Sequence, residues 1–132
     1  MPGIFISEDS NKASLLNVLF SFQGRIPRST FWKVGIGILL THIGFCFALY
    51  FLAPQSADGK YGAALGVLML TYFFIVIWTS FAVCTKRWHD RDKSGWWYLI
   101  NFVPFIGSLW AFIECGFLPG SRGINRYGPD PV

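Results

Sequence analysis

Residues 61–85 read YGAALGVLMLTYFFIVIWTSFAVCT, and this stretch of twenty-five uncharged residues decides the fold class. A helix rises about 1.5 Å per residue, so the stretch can cross the ~30 Å hydrocarbon core of a bilayer. A second apolar run, VGIGILLTHIGFCFALYFLA at 34–53, is followed by Pro54. The link at 54–60 is short and polar, which predicts two antiparallel membrane-spanning helices, 34–53 and 61–85.

The composition supports a membrane protein. Of the 132 residues, 53% are hydrophobic, 19% are aromatic and only 14% are charged, whereas soluble chains are roughly 25% charged. A domain this small has too little interior to hide so much apolar surface. The composition therefore excludes a disordered chain or a disulfide scaffold and argues against a water-soluble globule. It favours a single all-α integral membrane domain over residues 1–132.

A third apolar run at 96–113 is interrupted by Pro104 and Gly107. Proline inside a helix removes a hydrogen bond and clashes with the preceding turn. The segment 96–118 is therefore either a kinked crossing or a re-entrant hairpin. Its length favours a crossing, so we expect about three membrane segments.

The segment 13–23 is apolar on much of one helical face but too short to span a bilayer. We expect an amphipathic helix lying on the membrane surface. The alternative is a helix that packs on the rest of the protein outside the bilayer.

The basic residues predict the orientation, because loops rich in Lys and Arg stay cytoplasmic. With three crossings, eight of the eleven basic residues fall on the side of the N-terminus; with a re-entrant third run, ten do. Both arrangements predict a cytoplasmic N-terminus. They differ on the side of the tail.

The first of three polar clusters spans 24–33 and precedes the first apolar run. Ser29 or Thr30 could cap the next helix by accepting a backbone N–H bond. Tryptophan favours the depth of the lipid headgroups. We therefore predict interface anchors at Trp32, Trp96 and Trp97.

The second cluster spans 86–97, and the second helix is expected to continue to about Asp90. Arg87 lies three residues before Asp90, so the two can pair on a helix. We favour a structural ion-pair cluster that joins Asp90 to Arg25 or Arg28. A site for a lipid phosphate is the second interpretation. A catalytic or metal role for His89 beside Asp90 ranks third.

The third cluster is the tail at 119–132, which is rich in Gly and Pro and contains Asn125 and Arg126. Its composition predicts a structured loop rather than a helix. A cytoplasmic tail could lie against the second cluster, whereas the alternative is a solvated tail.

Two polar residues lie within the apolar runs. We expect His42 to form a hydrogen bond between helices, in preference to a proton relay. Glu114 ends its run and is expected to reach water or a basic partner.

The clusters together resemble the bacterial "domain of unknown function 805" family of inner-membrane proteins, from about residue 15 to the C-terminus. The chain departs from the usual pattern at three positions: Pro27, Lys86 and Trp88. The resemblance implies a small multi-pass protein of the bacterial plasma membrane, and it implies no activity or catalytic residue. The matching residues are Gly24-Arg25, Arg28, Phe31-Trp32, Arg87, His89-Asp90, Ser94 to Trp97, Pro104, Gly107, Gly123, Asn125 to Gly128 and Pro131.

The leading functional hypothesis is a non-enzymatic module that binds lipid headgroups or another membrane protein at its cytoplasmic face. The alternative is a transporter or channel component, which would require several copies of the chain. We expect no cofactor, no metal and no nucleic acid; the partners are membrane lipids, a second copy or another membrane protein. The residues predicted to form the site are Arg25, Arg28, Arg87, His89, Asp90, Asn125 and Arg126.

Overall fold

The computed structural model describes residues 15–52 and 61–132, and their ordered elements are helices. A short helical segment at 15–20 comes first. It is followed by α1 (Arg28–Leu52), α2 (Gly62–Asp90), a 3₁₀ helix (Gly95–Phe102) and α3 (Ile106–Gly116). Residues 1–14 and 53–60 lie outside the described ranges, so the first part of the predicted surface helix and the link between the spans do too.

α1 and α2 are both long and apolar enough to cross a membrane. They contain 25 and 29 residues, which correspond to about 37 Å and 43 Å. None of the α1 residues is buried within the chain, and most large apolar side chains on both helices are exposed. In a bilayer these exposed side chains meet lipid.

The start of α1 differs from the sequence prediction, whereas the end of α2 agrees with it. α1 already begins at Arg28, so Ser29 and Thr30 lie inside the helix and the predicted cap is wrong. Pro27 starts the helix instead: its carbonyl oxygen accepts the Phe31 N–H at 3.2 Å. α2 continues to Asp90, as predicted.

The third apolar run does not form one continuous helix. The 3₁₀ helix ends before Val103, whose φ of −80° and ψ of 112° are extended, as steric clash with a following proline favours. Phe105 then has a φ of 59°, which turns the chain into α3. α3 contains 11 residues, about 16 Å, and is too short to cross a bilayer. The expected third crossing is therefore not confirmed.

The two helices of this run pack against each other. A Cβ atom on Gly107 would overlap the carbonyl group of Ile100, so only glycine permits this close approach. The run then ends beside the start of α1, where the Trp32 indole N–H donates to the Gly116 carbonyl at 3.0 Å. Both ends of the third run thus lie near the same end of the α1–α2 pair.

The buried core of the described chain is small and lies at that end. It contains Trp88, Ala111 and Cys115, with Phe31 and Ile100 packed around them. The core joins α1, α2, α3 and the 3₁₀ helix, and it leaves the rest of the two long helices free for lipid.

The N-terminal segment packs on α2. The Phe22 ring contacts Trp78 and Phe81 edge-on, both at 5.2 Å between ring centroids. The buried Lys86 ammonium donates to the carbonyl groups of Asn17 and Val18. Lys86 therefore anchors this segment to the end of α2.

Halfway along the long helices, the Nδ1 atom of His42 lies 3.2 Å from the hydroxyl oxygen of Tyr72. The Phe45 ring stacks on Tyr72 with 3.8 Å between centroids. The predicted hydrogen bond from His42 between the helices is therefore present.

Candidate functional site

Asp90 is the last residue of α2, and its carboxylate lies between two arginines. The Arg25 guanidinium is 2.9 Å from Oδ1, and Arg87 donates to Oδ2. All three side chains are at least 96% buried. We call these three residues the arginine–aspartate cluster.

Arg25 also holds the tail. Its remaining N–H groups donate to the carbonyl oxygens of Ser121, Gly123 and Gly128, the latter two at 2.7 Å and 3.2 Å. Guanidinium presents several donors in a rigid fork, which suits such convergent acceptors. One side chain thus connects the start of the first polar cluster to α2 and to the tail.

Arg87 holds the end of α3 in the same way. It donates from Nε to the Cys115 carbonyl at 2.7 Å and from Nη2 to the Leu118 carbonyl. Its side chain is completely buried. A lipid phosphate therefore cannot reach Arg87 without opening the cluster.

The tail docks on α2 through backbone and amide groups. The Ser121 N–H donates to the Asp90 carbonyl at 2.7 Å, and the Asn125 amide donates to the His89 carbonyl at 2.8 Å. A Cβ atom on Gly120 would overlap the Asp90 carboxylate. Glycine is therefore required where the tail passes the cluster.

His89 is not part of an acid–base pair with Asp90. The Asp90 carboxylate faces the two arginines, whereas the His89 ring stacks on Tyr127 at 3.8 Å and its Nδ1 lies 3.3 Å from the Gly24 carbonyl. Nothing in the described ranges brings three or more His, Cys, Asp or Glu residues into a metal-binding group. The geometry therefore gives the catalytic interpretation no support.

Two of the predicted arginines lie outside the arginine–aspartate cluster. Arg28 remains exposed and donates to the Phe117 carbonyl at 2.8 Å rather than to Asp90. Arg126 pairs with Asp92 at 3.1 Å in a largely exposed contact. Of the two arginines considered as partners of Asp90, the structure selects Arg25.

Glu114 forms a second ion-pair group. Of the two expectations for this residue, water or a basic partner, the structure shows basic partners. Its carboxylate accepts from Lys93 and, at 3.2 Å, from Arg91. Burial raises the pKa of Glu114, but the hydrogen bonds from Lys93 and Arg91 outweigh it and leave the pKa below its ordinary value. This group joins α3 to the turn after α2.

The three predicted interface anchors differ in exposure. Trp32 is partly buried and bonded to Gly116, whereas the Trp96 residue is 78% exposed and the Trp97 residue 44%. The Lys93 ammonium lies 5.0 Å from the Trp97 ring centroid. Their depth in a membrane stays a prediction.

A cavity of about 380 Å³ lies beside the cluster and is lined by Arg28, Arg122, Asp90 and Asp130, among others. We call it the cationic cavity. Arg28 and Arg122 are both exposed there. Backbone N–H donors at Gly123 and Val132 lower the pKa of Asp130 below its ordinary value. The sequence did not single out Arg122 or Asp130, because neither belongs to a recognisable spacing.

The structure has two apolar helices that are long enough to cross a bilayer. A polar cluster at one end of this pair binds the tail. These features are those of a helical membrane protein. The chain belongs to the family described as "Protein of unknown function (DUF805)", which matches residues 19–129.

Curated relatives agree with this class. The chain is similar to inner membrane protein YhaH of Escherichia coli K12, 36% identical over 110 residues that cover 83% of this chain and 86% of YhaH. It is 34% identical to inner membrane protein YhaI of the same strain over 119 residues, which cover 89% and 92% of the two chains. No solved structure gives a significant match. The chain is therefore a bacterial inner-membrane protein of a family without an established activity.

Proposed function

We propose that this protein is a multi-pass, non-enzymatic membrane module that binds the phosphate headgroup of anionic lipids in its cationic cavity. The observation that carries the proposal is the pair of exposed arginines, Arg28 and Arg122, that line one cavity. Arg28 is the first residue of α1 and lies just ahead of the apolar run, at headgroup depth if α1 spans.

The charge balance of the site favours an anion. Asp90 already faces two guanidinium groups in the buried cluster. The cavity adds the side chains of Arg28 and Arg122 and one further aspartate, Asp130. Counted together with the buried Arg25 and Arg87, guanidinium groups outnumber aspartate side chains around the cavity. Guanidinium binds phosphate through paired hydrogen bonds.

The proposed topology places this cavity at the cytoplasmic leaflet, with the third run as a re-entrant hairpin. The support is that the tail bonds to Arg25 and Asp90, which flank the two long helices at one end. A re-entrant run puts ten of the eleven basic residues on one side, the stronger of the two biases considered.

The experiment compares retention of phosphatidylglycerol by the purified chain and by single variants Arg28→Gln and Arg122→Gln. Lipid that remains bound after detergent exchange is counted by mass spectrometry. Because a basic residue near an anionic surface contributes about 1 kcal/mol, we expect each variant to lower retention about fivefold.

The matched control is Arg126→Gln, which removes another exposed arginine, paired with Asp92 and absent from the lining of the cavity. It should retain lipid as the wild type does. Equal losses in all three variants would indicate nonspecific charge attraction and contradict the proposed site.

A further inference from the structure

A second cavity has a volume of about 390 Å³, and the described residues that line it include no Asp, Glu, Lys or Arg. It lies between Phe22, the last turns of α2 and the start of the 3₁₀ helix, and we call it the neutral cavity. Its size falls within the range of about 300–1,000 Å³ that small-molecule sites occupy. Phe81, Trp96 and Leu99 form much of its apolar wall.

One polar group of the lining is unsatisfied. Thr85 is 6% exposed, and its hydroxyl has no hydrogen-bond partner among the described residues. Thr71, on the same helix, shows the ordinary arrangement: its hydroxyl donates to the Val67 carbonyl at 2.8 Å. A buried hydroxyl without a partner is unfavourable unless a ligand or water supplies one.

His89 supplies a second polar group to the same lining. Its Nδ1 lies 3.3 Å from the Gly24 carbonyl oxygen, which can only accept, so Nδ1 carries the proton of this bond. In a neutral ring, Nε2 is then an acceptor. A ligand hydroxyl can donate to such a nitrogen and accept from Thr85, whereas a phosphate or carboxylate anion can only accept.

We propose that the neutral cavity binds the free hydroxyl of an uncharged, diacylglycerol-type membrane lipid. A lining whose described residues are uncharged selects against ionic headgroups. The apolar wall continues onto the exposed surface, since Leu99 is 50% and Trp96 78% exposed. The acyl chains would lie against these side chains. The hydroxyl would meet His89 and, after a neighbouring side chain of the lining shifts, the Thr85 oxygen, which is closed to solvent in this structure.

The experiment titrates the full-length chain in phosphatidylcholine nanodiscs with 1,2-dioctanoylglycerol and follows tryptophan fluorescence, because Trp96 lines the cavity. The comparison ligand is the same lipid with its hydroxyl capped as a methyl ether. We expect saturable binding of the first and about fivefold weaker binding of the second, as loss of one neutral hydrogen bond predicts.

Three variants test whether the Thr85 hydroxyl accounts for the binding. Thr85→Val should weaken binding of the free hydroxyl lipid about fivefold, whereas Thr85→Ser, which keeps the hydroxyl, should restore it. Thr71→Val is the matched control and should bind as the wild type does. No saturable binding by the wild type, equal affinity for the capped lipid, or equal losses in Thr85→Val and Thr85→Ser would each overturn the proposal.

This site is independent of the cationic cavity. Thr85→Val should leave retention of phosphatidylglycerol unchanged, and Arg28→Gln should leave dioctanoylglycerol binding unchanged. A variant that lowers both would show that the two cavities are not separate sites.

Discussion

Asp90 joins three parts of the molecule: the segment before α1, the helix α2 and the tail. Its carboxylate accepts from Arg25, 65 positions earlier, and from Arg87, one helical turn earlier, while its backbone carbonyl accepts from Ser121. All three charged groups are buried. Removing one member leaves the others without compensation, which costs more than the net strength of the cluster.

We therefore expect Asp90→Asn to lower the free energy of unfolding by about 3 kcal/mol or more. Asn is nearly the same size, so the change isolates the charge. The measurement is equilibrium unfolding of the purified chain in mild detergent, followed by circular dichroism.

Asp92→Asn provides the comparison, because its pair with Arg126 is largely exposed. Exposed pairs contribute about 0–1 kcal/mol. If Asp92→Asn and Asp90→Asn destabilised the protein alike, burial of the cluster would not explain its strength.

At the scale of elements, the hairpin formed by the 3₁₀ helix and α3 depends on the contact of Gly107 with Ile100. Pro104 and the extended Val103 interrupt the helix, and the positive φ of Phe105 redirects the chain. The close approach then allows both short helices to pack on the buried end of α2.

Gly107→Ala should destabilise the protein by about 2 kcal/mol, because the added methyl group overlaps a backbone carbonyl that cannot move alone. Gly44→Ala on α1 has nothing within 4 Å of the added methyl group and should change stability by less than about 1 kcal/mol. Thermal unfolding in detergent compares the two. A harmless Gly107→Ala would show that the hairpin is not packed as described.

For the whole molecule, the position of the tail decides the topology. The contacts of Arg25 with Ser121, Gly123 and Gly128 tie the tail to the segment that leads into α1. From those contacts we expect both segments on one side of the membrane.

We expect reporters fused to the N-terminus and the C-terminus to lie on the cytoplasmic side, and a reporter inserted at 54–60 on the opposite side. A C-terminal fluorescent protein should fluoresce, and a C-terminal alkaline phosphatase should be inactive. An active C-terminal phosphatase would indicate three crossings and contradict the re-entrant hairpin.

Sequence reasoning reached the fold class and the two long helices because hydrocarbon thickness imposes a length that any apolar run can be tested against. It also reached the end of α2 and the Arg87–Asp90 pair, since residues three apart share a helix face. Those inferences rest on local spacing. The third run was ambiguous because Pro104 and Gly107 suit both a kink and a reversal.

Only the tertiary structure decided which arginine meets Asp90. It alone also showed that Lys86 holds the N-terminal segment and that Arg122 joins Arg28 in one cavity. Most partners of these side chains are backbone carbonyls of the tail, of α3 and of residues 17–18. Carbonyl oxygens are the same in every residue, so no sequence pattern marks the ones that the fold brings within hydrogen-bond distance of these side chains.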